Sequence, residues 1–319
     1  MKKSAPLLAC VLVVAGITVA FAQTTAGWKP GKFNKQSTCR PLWIGLSDVP
    51  GDINAATRDT TLVCHTKFVL SHDNVSKTPD WVVEHLTKQQ VSGKGNRPKI
   101  SFSPQQRVPP VGRASNGDYT NTKSALARGH MAPSEDFNQN VAWMKESFVF
   151  SNAVPQAGAH FNGTVWAALE EQVRIAARKR QELYVITGPV RGTMTIRSRI
   201  LAKADNACGN EIKLAGPDKE AFVCAASNKS KTSFCSKGVA VPIGLYKIVF
   251  DPKSGDSFAF VMPNIDHPNK KDSEVQAYLE GFRVNVAAIE SLTGLRFFQD
   301  LPAEKRDKAA KACAPGTLW

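Results

Sequence analysis

"GTVWAALEEQVRIAARKRQELYVITGPV", residues 163–190, changes its hydrophobic period half-way. From Thr164 to Gln181 the residues Leu169, Val173, Ala176 and Ala177 form one apolar stripe among charges, the pattern of an amphipathic helix. Directly after it "ELYVITGPV" reads as a buried strand ended by Gly188 and Pro189. Working outward, "GLYKIVFDP" (244–252) and "SFAFVMPN" (257–264) are two further apolar strands separated by a turn at 253–256, and "TKFVLSH" (66–72) alternates as a strand. "DWVVEHLT" (80–87), after Pro79, reads as a short helical or strand-edge segment. Residues 92–121, rich in proline and glycine, read as mostly loop. "SEDFNQNVAWMKESF" (134–148) reads as a helix entered through Ser134, with Glu135 and Asp136 in its first turn. Strands and helices follow one another without regular alternation, so the expected class is α+β rather than a doubly wound sheet.

The 319 residues contain 42% hydrophobic and 21% charged side chains, enough apolar surface for a sizeable core. No stretch has the composition of an interdomain linker and no repeat recurs at a fixed period, so one mature domain is expected. The start, "MKKSAPLLACVLVVAGITVAFAQ", has two lysines, an apolar run and a small-x-small end at Ala20–Ala22, the layout of a secretory signal peptide over 1–22 with cleavage before Gln23. An uncleaved anchor and lipidation at Cys10 are its rivals. The expected location is the periplasm or the medium, with no stable membrane span once the leader is removed. The mature chain, 23–319, keeps six cysteines, Cys39, Cys64, Cys208, Cys224, Cys235 and Cys313, an even number that in an exported protein argues for up to three disulfides with the pairing open. Residues 203–240 hold three of them and read as a disulfide-stapled surface excursion. No Cys-x-x-Cys or clustered Cys/His spacing suggests zinc. The net charge is +14, and loss of Lys2 and Lys3 with the leader leaves +12, a surface suited to polyanions or simply to solubility.

Two segments hold a set of chemically useful side chains. In "SNAVPQAGAHFNGTVWAALEEQVR" (151–174), Asn162 precedes the long helix, and Trp166, Glu170 and Arg174 follow at four-residue spacing on one face. The ordinary reading makes Asn162 a helix cap, Glu170 and Arg174 a surface pair, and Trp166 core. In "ALARGHMAP" (125–133), His130 follows Arg128 and Gly129.

Together these segments resemble the DNA/RNA non-specific endonucleases, the ββα-metal nucleases. The family's Asp-Arg-Gly-His signature stands here as Ala127-Arg128-Gly129-His130, followed by Met131-Ala132-Pro133, and the family's later asparagines, Gly, Trp and Leu-Glu are matched by Asn152, Asn162, Gly163, Trp166, Leu169 and Glu170. The strands from 184 to 264 and "AIESLTGLRFFQDLP" (288–302) extend the likeness over 64–302, with 203–240 as an insertion. The resemblance implies a single-domain ββα-metal fold with a mixed or antiparallel sheet, and Mg²⁺-dependent endonucleolytic hydrolysis of DNA and RNA that leaves 5′-phosphates. It makes His130 the general base, Asn162 the protein ligand of Mg²⁺ (Mn²⁺ as substitute), Glu170 the residue orienting metal-bound water, and Arg128 and Arg174 the phosphate-holding arginines. Arg97 and Asn152 are further substrate-side candidates. An unperturbed imidazole would be free to accept a proton above about pH 6.5. Its candidate partners, beyond DNA and RNA, are an inhibitor protein and a second copy of the chain.

Ala127 departs from the pattern, since alanine can neither bind nor orient a water; some members carry serine there. A catalytically weak or inactive nucleic-acid binder is therefore the alternative, and a basic structural or envelope-associated protein the third reading.

Overall fold

The computed structural model describes residues 59–120, 126–192, 198–216, 222–224, 238–299 and 301–319. The leader and Cys39 and Cys235 lie outside these residues. The strands are β1 Thr60–Cys64, β2 Phe68–Asp73, β3 Thr78–Thr87, β4 Ala127–His130, β5 Ala153–Gln156, β6 Glu182–Val190, β7 Ser198–Leu201, β8 Ile212–Ala215, β9 Phe222–Cys224, β10 Gly238–Ala240, β11 Gly244–Phe250, β12 Ser257–Pro263 and β13 Arg283–Val284. The α-helices are α1 Asn116–Thr120, α2 Val141–Glu146, α3 Val165–Arg180, α4 Asp272–Glu280, α5 Val286–Thr293 and α6 Ala303–Lys311.

A seven-stranded sheet, in the order β1-β2-β3-β6-β11-β12-β13, forms the centre, and each of its pairings is antiparallel. It is buried on both faces. Leu183 and Val185 of β6 pack with Leu169, Val173, Ala176 and Ala177 of α3 on one side. Tyr184 and Ile186 pack with Ile289 and Leu292 of α5 and Ala309 of α6 on the other. Period-two alternation thus sends neighbouring side chains into two separate cores, which is why these strands read as nearly continuous apolar runs. The class is α+β, as the irregular order of elements implied.

Three local expectations change. The segment 80–87 belongs to a ten-residue strand inside the sheet, between β2 and β6. Pro79 is tolerated there because the β2–β3 register shifts between Ser71 and His72, and Pro79 pairs at that irregularity. The segment 134–148 is not one helix: a 3-10 turn at Ser134–Phe137 is followed by α2, whose cap is Asn140, its Oδ1 accepting the Ala142 N–H at 2.8 Å. The Ser134 hydroxyl has no hydrogen-bond partner among the described residues, so it caps nothing there. The excursion at 203–240 is stapled to the C-terminus, by Cys208–Cys313, and its β8 buries Ile212 and Leu214 in the α5 core. Cys64 is also disulfide-bonded. No helix among the described residues is long and apolar enough to cross a membrane.

The long helix forms as its stripe demands, over Val165–Arg180. Its N-terminal turn is preceded by a π-type turn, Gly158–Asn162, that packs against the β4–β5 hairpin. Hairpin, turn and helix together make a ββα unit on one face of the sheet.

Candidate active site

The β4–β5 hairpin pairs Ala127 with Gln156, Arg128 with Pro155, Gly129 with Val154 and His130 with Ala153. Strand alternation therefore puts Arg128 and His130 on one face and Ala127 and Gly129 on the other. Glycine is required between the two because the Gln156 side chain crosses it; a Cβ at Gly129 would lie 1.9 Å from Gln156 Cδ. The absent carboxylate at Ala127 is thus missing from the strand face opposite the imidazole.

His130 is 8% exposed, and its Nε2 is buried with no hydrogen-bond partner among the described residues. Phe102 tilts against the ring at 4.6 Å and Phe148 meets it edge-on at 4.8 Å. Burial, reinforced by the Arg97 guanidinium, pushes the imidazole down to about 3. It is neutral throughout the physiological range, not only above the ordinary histidine value. Arg97 is half-exposed, 5.1 Å above the Phe148 ring and 4.0 Å from Glu135. Its charge also acts on Glu170, so this arginine lies within electrostatic reach of both the imidazole and the helix carboxylate.

Asn162 closes the π-type turn and is partly buried; Glu170 lies two helical turns further on. Neither side chain makes a hydrogen bond or a salt bridge among the described residues. Burial raises the Glu170 carboxyl to about 7 against the pull of Lys247 and Arg174, with Asp136 adding to the rise. Arg128 is likewise uncommitted, its buried Nε unpartnered among the described residues. Polar groups left without protein partners among the described residues, on a strand that carries a buried imidazole and on the turn and helix packed by it, are what a site for an outside ligand looks like.

Two expected substrate-side residues are placed otherwise. Asn152 is fully buried. Its Oδ1 accepts the Ala132 N–H at 2.9 Å, and its Nδ2 donates to the carbonyls of Ala132 (2.9 Å) and Ser147 (3.0 Å). With its amide used up on main chain, Asn152 clamps the segment after His130. Arg174 is also buried, with Nη1 2.8 Å from Asp136 and Nε 2.8 Å from Glu171; these carboxylates hold its guanidinium to the scaffold.

Beneath α3 lies a group of charges that the sequence reading passed over. Lys247, 1% exposed, donates to Thr187 Oγ1 at 2.6 Å and sits 5.2 Å from the Trp166 ring. Glu84 is fully buried, both its oxygens unpartnered among the described residues, and burial with the Asp136 charge beside it raises its carboxyl well above the usual range. The signal was there to be read: single charges inside the apolar runs "WVVEHL" and "GLYKIVF". Phe102 and Phe148 gave no such signal, because only the fold brings them to His130.

No cluster of three or more His, Cys, Asp or Glu able to hold a metal occurs among the described residues. The donors a cation would meet at this site are the Asn162 carboxamide and water near Glu170. That set fits a hard divalent ion that keeps most of its waters.

The description DNA/RNA non-specific endonuclease belongs to a family model that matches residues 51–304. Nuclease EXOG, mitochondrial, of Danio rerio is 31% identical over 78% of this chain and 63% of its own length. A nuclease of Syncephalastrum racemosum is 31% identical over 78% of the chain and 70% of its own. The chain spans less than two thirds of the EXOG relatives, 57% of the Homo sapiens one. The solved EndoG/EndoGI complex has a chain that superposes with a TM-score of 0.61 at 24% identity, covering 89% of this chain and 99% of that one. These likenesses overturn one expectation: relatives from Danio rerio, Schizosaccharomyces pombe and Saccharomyces cerevisiae are named mitochondrial, against a periplasmic or extracellular location. Family model, fold and ββα unit agree that the chain belongs to the DNA/RNA non-specific endonucleases.

Proposed function

We propose that this chain is a metal-dependent endonuclease that hydrolyses phosphodiester bonds of DNA and RNA with little sequence preference and leaves 5′-phosphates. The observation that carries the reading is the His130 Nε2, buried, neutral and without a partner among the described residues, next to an uncommitted arginine. Hydrolysis needs a base for the attacking water, cationic contact with the phosphate oxygens and stabilisation of the leaving oxygen.

His130 Nε2 takes the proton from the water, and Phe102 and Phe148 hold the ring in line. Arg128 and Arg97 hold phosphate oxygens. Such contacts to phosphate carry no base information, which accounts for the lack of specificity. Asn162 would hold Mg²⁺, or Mn²⁺ in its place, through its carboxamide oxygen, and Glu170 would orient the surrounding water. Bound there, the ion supplies positive charge to the leaving 3′ oxygen. Arg174, committed to Asp136 and Glu171, keeps α3 and hence Glu170 in place. An inhibitor protein and a second copy of the chain stay as proposed partners, with no residue assigned to either.

The alternative of an inactive nucleic-acid binder is favoured by Ala127 alone. Against it stands the strand geometry, which leaves the face of Arg128 and His130 intact. Plasmid nicking with Mg²⁺ separates the two readings. Wild type nicks, His130→Ala loses about 100-fold or more, and Ala127→Asp changes the rate less than His130→Ala does. A silent wild type rescued by Ala127→Asp establishes the binder; a His130→Ala variant as fast as wild type removes His130 from the mechanism.

A further inference from the structure

The turn that carries Asn162 is gripped at both ends by the loop after β12. At its start, fully buried Asn264 accepts the Ala157 N–H on Oδ1 at 2.8 Å. The Nδ2 of Asn264 donates to the carbonyls of Pro155 (3.1 Å) and Pro242 (2.9 Å). The Ala157 carbonyl in turn accepts the Asn162 N–H at 3.2 Å. Two hydrogen bonds through one residue therefore connect the Asn264 amide to Asn162. At the far end, the His267 N–H donates to the His160 carbonyl at 3.1 Å. The His267 ring stacks on Phe161 at 5.2 Å, 25° from parallel. That ring is itself fixed, donating from Nε2 to the Pro263 carbonyl at 2.9 Å and accepting the Tyr278 hydroxyl on Nδ1 at 2.8 Å. Phe161, the neighbour of Asn162, is fully buried between His267 and Trp166.

A single π-type turn is an uncommon conformation that needs support from outside itself. A cation held by one carboxamide depends on how that carboxamide is aimed, and partners that orient a ligand cost about 10–100-fold in metal affinity when removed. We propose that Asn264 and His267 are positioning residues that aim the Asn162 carboxamide. This rests on Asn162 as the metal-holding residue.

The test measures Mn²⁺ binding to the full chain without nucleic acid, by electron paramagnetic resonance of the free ion, below the unfolding temperature recorded in chelator. Folded Asn264→Ala and His267→Ala are expected to bind Mn²⁺ about tenfold or more weakly, with KM for DNA at saturating metal unchanged. Asn162→Ala is expected to lose binding. If both positioning variants bind Mn²⁺ as wild type does while Asn162→Ala loses it, the positioning role is overturned and the metal-holding role stands. If Asn162→Ala binds as wild type, the metal-holding reading fails and takes the positioning role with it. Should Asn264→Ala not fold, His267→Ala decides alone, since it leaves the Asn264 bonds in place.

Discussion

Replacing Asn152 by alanine separates a scaffold role from a substrate role. The carboxamide makes three bonds in a fully buried place, two to Ala132 and one to Ser147. Each contributes roughly 1 kcal/mol net, and the substitution also strands one N–H and two carbonyls away from water, so the total loss is about 3–5 kcal/mol. Set against a typical stability of about 5–15 kcal/mol, that is a large fraction. In urea, with a slope near 3 kcal/mol/M, the unfolding midpoint should fall by roughly 1–2 M. Ala132 lies two residues after His130, and the Met131 N–H is bonded to the Asn152 carbonyl at 2.9 Å. Loosening this corner should lower kcat through the aim of the imidazole and leave KM for DNA unchanged. An unchanged midpoint together with a raised KM would refute the argument and return Asn152 to the substrate.

Three further outcomes follow from the electrostatics and ion pairs. The kcat/KM of wild type, measured at low metal, should rise with pH through about 7 as Glu170 ionises, and Glu170→Gln should abolish that limb; no histidine limb belongs near 6.5, because His130 is already neutral. The same raised carboxyl means that the folded chain keeps a proton the unfolded chain has released, so stability should fall as pH rises from 4.5 to about 7, and this slope should flatten in Glu170→Gln urea titrations. Arg174→Ala leaves the Asp136 carboxylate buried, with 3% of its side chain exposed; about 3–5 kcal/mol of stability should be lost in denaturant titration, and a loss under 1 kcal/mol would show the pair to be dispensable.

Where the sequence was legible, local periodicity and residue type were enough. The stripe of Leu169, Val173, Ala176 and Ala177 specified α3 almost to the residue, because a 3.6 period has one way to bury one face. The apolar runs at 182–190 and 244–263 likewise gave their strands. The ordered set around His130 and Asn162 pointed to the family. Where it failed, partners distant in the chain decided. "DWVVEHLT" has no single period, since both faces of β3 are buried in different cores. "SEDFNQNVAWMKESF" breaks at Asn138–Asn140, where a capping asparagine outweighs the apolar spacing.

The sequence by itself determined the long helix, the main apolar strands and the chemical inventory: an imidazole, a carboxamide, a helix carboxylate and several arginines. Only the tertiary structure decided what surrounds each of them and which of their polar groups have partners. Asn152 and Arg174 look like substrate residues in one dimension, but across the fold the Asn152 carboxamide is taken up by Ala132 and Ser147, and Arg174 is paired through Nη1 with Asp136 and through Nε with Glu171. His130 owes its neutrality to two phenylalanines and an arginine that are not its neighbours in the chain. Ala127 reads as a lesion beside His130 in sequence, yet the pleat turns it to the opposite face. The physical reason is common to all of these. Residue type fixes what a side chain can donate, accept or ionise, while its protonation and its free valences depend on burial and partners that exist only once distant segments meet.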